Sequence, residues 1–187
     1  VRAFGLGRLR GPDLAIGLEE EQRRWLERVG GRELPWYAEE KLRDGSHTAI
    51  IGLEFEPEGT WQAVAIGDCC VVQLRKDQIL AAFPLSEAKE FNNQPYLVST
   101  NSTENPKISK ETLTFEGVWA SDDAFFLMSD ALACWFFTDR EKEGTPWSTL
   151  RDLDTTDGKS FKHWIAELRA QGAMRNDDVT LVRVDFH

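Results

Sequence analysis

Hydrophobic and polar positions change period along this chain, and each change predicts an element. Leu18, Trp25, Leu26 and Val29 form one apolar stripe, with Glu19, Glu20 and Glu21 early and Arg23, Arg24 and Arg28 late. That spacing and charge order predict an amphipathic helix ended by Gly30-Gly31. A second short helix is expected from Trp36 to Arg43, before Asp44-Gly45-Ser46 turns the chain. From Thr48 the pattern becomes strand-like. Thr48–Phe55 and Trp61–Ile66 flank a turn at Pro57-Glu58-Gly59 and predict a hairpin. Gly67-Asp68 interrupts, and Cys69–Arg75 with Ile79–Phe83 predicts a further antiparallel pair around Lys76-Asp77, so the first half reads as a meander.

Residues 86–110 are polar, including Asn92-Asn93-Gln94-Pro95 and Asn101–Pro106, and read mostly as loop. Strands return at Glu111–Val118 and Asp123–Ser129. A helix over Ala131–Thr138 should start just beyond Asp130, and a short one near Trp147–Leu150. Phe161, Trp164, Ile165 and Leu168 recur at helical spacing, after Thr155-Thr156-Asp157 as cap and before Gly172 as terminator. Their aromatic stripe is most simply core. A final strand, Val179–Phe186, sets Thr180, Val182, Val184 and Phe186 on one face. Antiparallel strands with helices grouped at the two ends, undivided by repeat or linker, predict an α+β layered sandwich in one domain over residues 1–187.

Composition narrows the function. At 187 residues and 41% hydrophobic the chain can bury one good core. Its net charge of -10 repels nucleic-acid phosphates and anionic lipid, leaving a divalent cation as the more natural partner. No apolar stretch reaches the roughly 20 residues of a membrane span and no basic-then-apolar leader opens the chain, so the expectation is a cytoplasmic protein. Cys69, Cys70 and Cys134 are odd in number and lack zinc spacing, which predicts buried free thiols. The chain begins at Val1, consistent with a start that lies further upstream.

The candidate chemistry lies in acids at strand edges. Asp130 follows the apolar run Phe125–Ser129, Asp177 precedes the run Val179–Val184, and Asp68 interrupts two strands. An acid there can face a cleft while the strand behind it is locked in the core. Each also has a plain structural reading: a turn residue for Asp68, a helix cap for Asp130. His47, His163 and His187 are isolated. Neither a Ser-His-Asp nucleophile, a phosphate-cradling glycine loop nor a dinucleotide fingerprint is present.

Taken in order, Gly45-Ser46-His47-Thr48-Ala49, Gly67-Asp68-Cys69, Ser129-Asp130-Ala131 and Asp177-Asp178-Val179-Thr180 resemble the Gly-Ser-Thr-Ala, Gly-Asp-Ser, Ser-Asp-Gly and Asp-Asn-x-Thr motifs of the metal-dependent, protein phosphatase 2C-like (PPM) family. The resemblance covers about residues 45–187. It implies a four-layer α-β-β-α sandwich of two antiparallel sheets flanked by helices, here lacking the first strands of the family fold. It also implies hydrolysis of phosphoserine and phosphothreonine esters in a phosphoprotein substrate, using two Mn²⁺ or Mg²⁺ ions that activate water. By the same resemblance Asp130 and Asp177 are metal ligands, and Asp68 can approach an additional, weaker metal. Oxygen ligands suit such hard cations.

The chain departs from that pattern at defined places. The family's bridging aspartate, from an Asp-Gly well before the Gly-Ser-Thr-Ala strand, and its phosphate-holding arginine have no match here. Asp44-Gly45 abuts the strand and reads as a turn. Ala131 stands for glycine, Asp178 for asparagine, and Cys134 stands where some members carry another metal-binding aspartate. Cys69-Cys70 stands in place of Ser-Arg, removing a positive charge near Asp68. Two expectations follow: a phosphatase domain whose N-terminal segment lies upstream of Val1, or an inactive phosphatase-like binding or regulatory module. A companion chain that supplies the missing strand and ligands is a further possibility, and would cover an otherwise open sheet edge.

Overall fold

A computed structural model describes residues 19–24, 27–28, 35, 45–92, 94–153 and 158–186. The chain forms two compact units, each built from two separated stretches: 1–67 with 94–119, and 68–93 with 120–187. Residues 19–24 and 27–28 are helical, as the charge order predicts. The stripe residues Leu18, Trp25, Leu26 and Val29, and the second helix expected at 36–43, lie outside the described residues.

In the first unit the expected hairpin is β2 (Ile50–Phe55) and β3 (Thr60–Ile66), joined by a turn in which the Glu56 N–H donates to the Thr60 carbonyl at 2.8 Å. A third strand, β7 (Leu113–Val118), pairs antiparallel on the other side of β3. The central strand is therefore the buried one, with Trp61 and Ala63 through Ile66 all inaccessible to solvent or nearly so. Trp61 stacks on Phe115 with ring centroids 5.1 Å apart and lies over its register partner Gly117. A Cβ at Gly117 would come within 2.5 Å of the indole nitrogen, so only glycine fits beneath the ring. A small pair, β1 (His47–Thr48) with β6 (Val98–Ser99), belongs to the same unit. Residues 94–110 are otherwise irregular, apart from a 3-10 turn at Ser102–Glu104 and α1 (Ile108–Glu111).

The second unit carries a four-stranded antiparallel sheet in the order β5-β4-β8-β9, from β4 (Cys70–Arg75), β5 (Gln78–Phe83), β8 (Asp123–Met128) and β9 (Leu181–Asp185). The meander of the first half thus divides at Gly67-Asp68, where the chain leaves one sheet for the other. Periodicity identifies strands, but says nothing of which sheet each joins. Alternate residues Cys70, Val72, Leu74, Ala124, Phe126 and Met128 form one core with three helices. These are α2 (Asp130–Glu141), α3 (Pro146–Asp152) and α4 (Lys159–Ala170). The aromatic stripe of α4 is core, as expected: Trp164 meets Trp135 of α2 edge-on at 4.8 Å. Burying Leu132, Phe136 and Phe137 fully, at about 1.5–3 kcal/mol each, locks α2 onto the sheet.

Two boundaries differ from the sequence reading. Helix α2 starts at Asp130 itself. The N-cap of α4 is Gly158, in the left-handed region at φ 65°, while the expected cap Thr155-Thr156-Asp157 lies outside the described residues. In β9 both faces carry apolar contacts: Phe186 meets Phe125 edge-on at 6.0 Å, and Leu181, from the opposite face, packs on the helical core. Cys70 is buried, Cys69 and Cys134 are half-buried, and all are free thiols. No helix among the described residues is long and apolar enough to cross a membrane.

Strand β8 opens on a buried acid that sequence reading passed over. Asp123 accepts from Arg75 Nε at 2.6 Å and Nη2 at 3.0 Å, from Gln73 Nε2 at 2.7 Å, and from the Ala120 N–H at 3.0 Å. Burial opposes its ionisation, but the donors prevail and hold the carboxyl below its ordinary range. The charged form is thus favoured by folding: its stabilisation is complete above the unfolded carboxyl value of about 4 and disappears as pH falls through the lower folded value. Asp123→Asn is expected to lower unfolding stability by about 2 kcal/mol at pH 7. In urea titrations that deficit should shrink as pH is lowered below about 4.

Candidate functional site

Within the second unit, three chain segments bring acids to one end of the sheet. Gly67, at the end of β3, has φ 94°, and a Cβ there would strike the Ala49 side chain at 2.8 Å. Glycine is required for this turn, and Asp68 follows it directly. Asp68 is buried, 8% exposed, ahead of β4. Burial raises its carboxyl pKa above the ordinary range, the Asp130 charge raises it further, and Asp177 adds a smaller push. Its own backbone N–H and the Arg175 guanidinium oppose these effects without cancelling them. Asp68 therefore feels the charges of Asp130, Asp177 and Arg175, all distant from it in sequence.

The second segment joins β8 to α2. Ser129 precedes the helix, yet its hydroxyl does not cap it. That hydroxyl donates to the Asp178 carbonyl and accepts from the Thr180 N–H, each at 3.0 Å, while the Ser129 N–H donates to the Thr180 carbonyl at 3.1 Å. Ser129 so ties the end of β8 to the segment that carries Asp177. Asp130 is the first helical residue and half-buried. Among the described residues no hydrogen bond engages its carboxylate, so the capping role open to it from sequence is not the one it fills. Cys69, half-buried, directly precedes β4 at the same end of the sheet. Burial, then the Asp68 and Asp130 charges, push its thiol up to about 11, and it stays protonated at neutral pH.

The third segment runs from α4 to β9. Asp177 is exposed; its Oδ1 accepts from the Asp178 N–H at 2.7 Å, and Arg169 donates to its carbonyl. Arg175 donates through Nη2 to the Phe91 carbonyl at 2.9 Å.

The donor chemistry fits a hard divalent cation: carboxylate oxygens arranged about a buried acid whose charge is unfavourable. Among the described residues, however, no three His, Cys, Asp or Glu side chains gather closely enough to hold an ion. Asp68, Asp130 and Asp177 share an electrostatic neighbourhood without forming a closed cage.

The profile of the protein phosphatase 2C family matches residues 15–176. The chain belongs to that family. The match begins well upstream of Gly45, takes in Asp68 and Asp130, and stops one residue before Asp177. No curated protein matches the chain significantly. Among solved structures, serine-threonine phosphatase 2C from Toxoplasma gondii is 8% identical with a TM-score of 0.50, over 95% of this chain and 67% of that one. The photosystem II phosphatase PBCP is 14% identical, TM-score 0.49, over 91% of this chain and 78% of that one. The catalytic domain of the serine/threonine phosphatase PstP, in complex with 2 manganese ions, is 15% identical, TM-score 0.48, over 92% and 80%. At such identities the likeness is one of fold: antiparallel sheets with helices, the α+β class.

Residues that sequence reading of this phosphatase 2C chain missed are the positioning ones. Ser129 was visible only as part of a motif, and Arg175 carried no signal beyond standing two residues before Asp177. Since ionised Asp68 costs stability at neutral pH, and that cost vanishes as pH falls through its raised folded pKa, removing the charge should stabilise the metal-free protein. Asp68→Asn is expected to add on the order of 1 kcal/mol at pH 7, about 2–4 °C in Tm. The gain should narrow as pH is lowered, which melting curves across pH check.

Proposed function

We propose that residues 1–187 form one phosphatase-like domain that hydrolyses phosphoserine and phosphothreonine monoesters of proteins in a divalent-metal-dependent reaction. Support for one domain is that each compact unit is completed only by two separated stretches of chain. The observation that carries the function is that the pairing of β4, β8 and β9 brings Asp68, Asp130 and Asp177 to one end of a sheet, in a chain of the phosphatase 2C family.

Asp130 and Asp177 would hold the metal pair, Mn²⁺ or Mg²⁺, and Asp68 an additional, weaker ion. Bound there, such ions supply a water of lowered pKa and positive charge for the phosphoryl oxygens. The chain's own contribution is placement. Ser129 fixes the Asp178–Thr180 backbone beside Asp130, and the Cys69 thiol, held protonated, adds no further anion near the acids. Free thiols at Cys69, Cys70 and Cys134 agree with a reducing, cytoplasmic setting.

A second reading, a catalytically inactive phosphatase-like module, draws on the lack of a closed ligand cage among the described residues. Calorimetric titration of Mn²⁺, with hydrolysis of a phosphoserine peptide, separates the two. The phosphatase reading expects saturable Mn²⁺ binding and turnover, in this chain or in one extended upstream of Val1. It also expects Asp130→Asn to lower turnover roughly 100-fold or more with Tm nearly unchanged. Neither binding nor turnover in either chain would favour the module, and a large Tm loss in Asp130→Asn would assign that residue to the fold.

A further inference from the structure

Next to the acids, in the same unit, lies a cleft of about 170 Å³ between α2 and the turn that follows α4. That volume holds about half a dozen waters, enough for a small anionic group. Ala131, which immediately follows Asp130, lines it together with Cys134, Trp135, Thr138, Met174 and Arg175. Arg175 is the cation of this lining. The other lining residues are neutral and Asp130 stands next in sequence to one of them, so a dianionic phosphate monoester has only Arg175 in this lining to offset its charge.

The turn that carries Arg175 is held firmly. Gly172 adopts φ 68° after the helix, the Ala173 N–H donates back to the Leu168 carbonyl at 2.8 Å, and Met174 is buried. Those contacts turn Met174 inward and leave Arg175 exposed. One guanidinium N–H is committed to the Phe91 carbonyl, and Phe91 is itself buried against Phe137, with ring centroids 6.1 Å apart. A guanidinium has five donors, and among the described residues the rest of this fork is unengaged. Its charge reaches Asp68, where it opposes the carboxyl's upward shift. A planar cation anchored at one corner, facing acids on one side and a cleft on the other, suits bidentate grip of phosphoryl oxygens.

We infer that Arg175 holds the phosphate group of the substrate, in the cleft beside Asp130. The inference rests on the phosphatase reading above and names the residue that binds the anion in it. A group that binds the phosphoryl oxygens equally before and during reaction lowers KM and leaves kcat nearly alone.

The test compares the wild-type chain with Arg175→Met and Arg175→Lys in Mn²⁺, using a phosphoserine peptide as substrate and inorganic phosphate as competitor. Arg175→Met should raise KM and the phosphate inhibition constant in parallel, by about tenfold or more, with kcat within about threefold. Mn²⁺ binding and Tm should be unchanged. Arg175→Lys, which keeps the charge and loses the fork, should fall between the two. Unchanged KM and inhibition in Arg175→Met would overturn the inference. So would a change matched by equal loss of Mn²⁺ affinity or by a fall in Tm, either of which makes Arg175 a support for the turn. A wild-type chain without turnover would sink the phosphatase reading but leave this one decidable. Calorimetric titration of inorganic phosphate should then still show binding in the wild type and its loss in Arg175→Met, and equal heats, or none in either, would overturn it.

Discussion

Strand β8 is held at both ends by polar contacts, and the placement of the acids depends on it. At its start, Asp123 is fixed by Arg75, Gln73 and the Ala120 N–H. At its end, Ser129 is fixed by Asp178 and Thr180. Between them Phe125, Phe126 and Met128 are buried, so the strand is immersed on both faces and cannot shift register without moving its aromatic residues. Asp130 follows without a free residue intervening. An acid placed in this way needs no hydrogen bonds of its own to keep its position.

Asp68 and Asp123 show how one residue type serves opposite ends. Both are buried aspartates in the same unit, and burial raises the pKa of each. Around Asp123 four N–H donors from three residues meet the two oxygens, so the charge is stabilised and the carboxyl falls below its ordinary range. Around Asp68 the largest influence after burial is the Asp130 charge, and the carboxyl rises. The first arrangement strengthens the fold. The second leaves a charge that the fold holds at a cost.

Period and turn chemistry made most elements legible. The hairpins at β2-β3 and β4-β5, the strands β7 and β8, and the helical aromatic stripe of α4 all follow from which residues are apolar and how far apart they recur. Three things did not follow. The split of the meander at Gly67 depends on long-range pairing, β3 with β7 and β4 with β8, which no local pattern encodes. The α4 start fell to Gly158, because a left-handed glycine can begin a helix where sequence favours a hydroxyl or carboxylate cap. The motif acids stand out in the sequence, whereas the contacts that place their segments do not: a serine that bonds a backbone carbonyl and N–H some 50 positions away has no sequence signature.

The same limit explains where the site finds its positive charge. In the family pattern an arginine follows the Gly-Asp turn closely, and here Cys70 stands in that place. Cys70 begins β4 fully buried, packed in the core with Met128 and Val72. A guanidinium there would be taken from water without a matched partner, a penalty of several kcal/mol. An exposed turn carries no such penalty, since the stem can pack while the head stays hydrated. Arg175 sits on such a turn, and its field still reaches Asp68. A cation is needed at a point in space, and the fold can supply it from a segment about 100 residues further along the chain, so that a charge absent from one motif is not absent from the surroundings of Asp68.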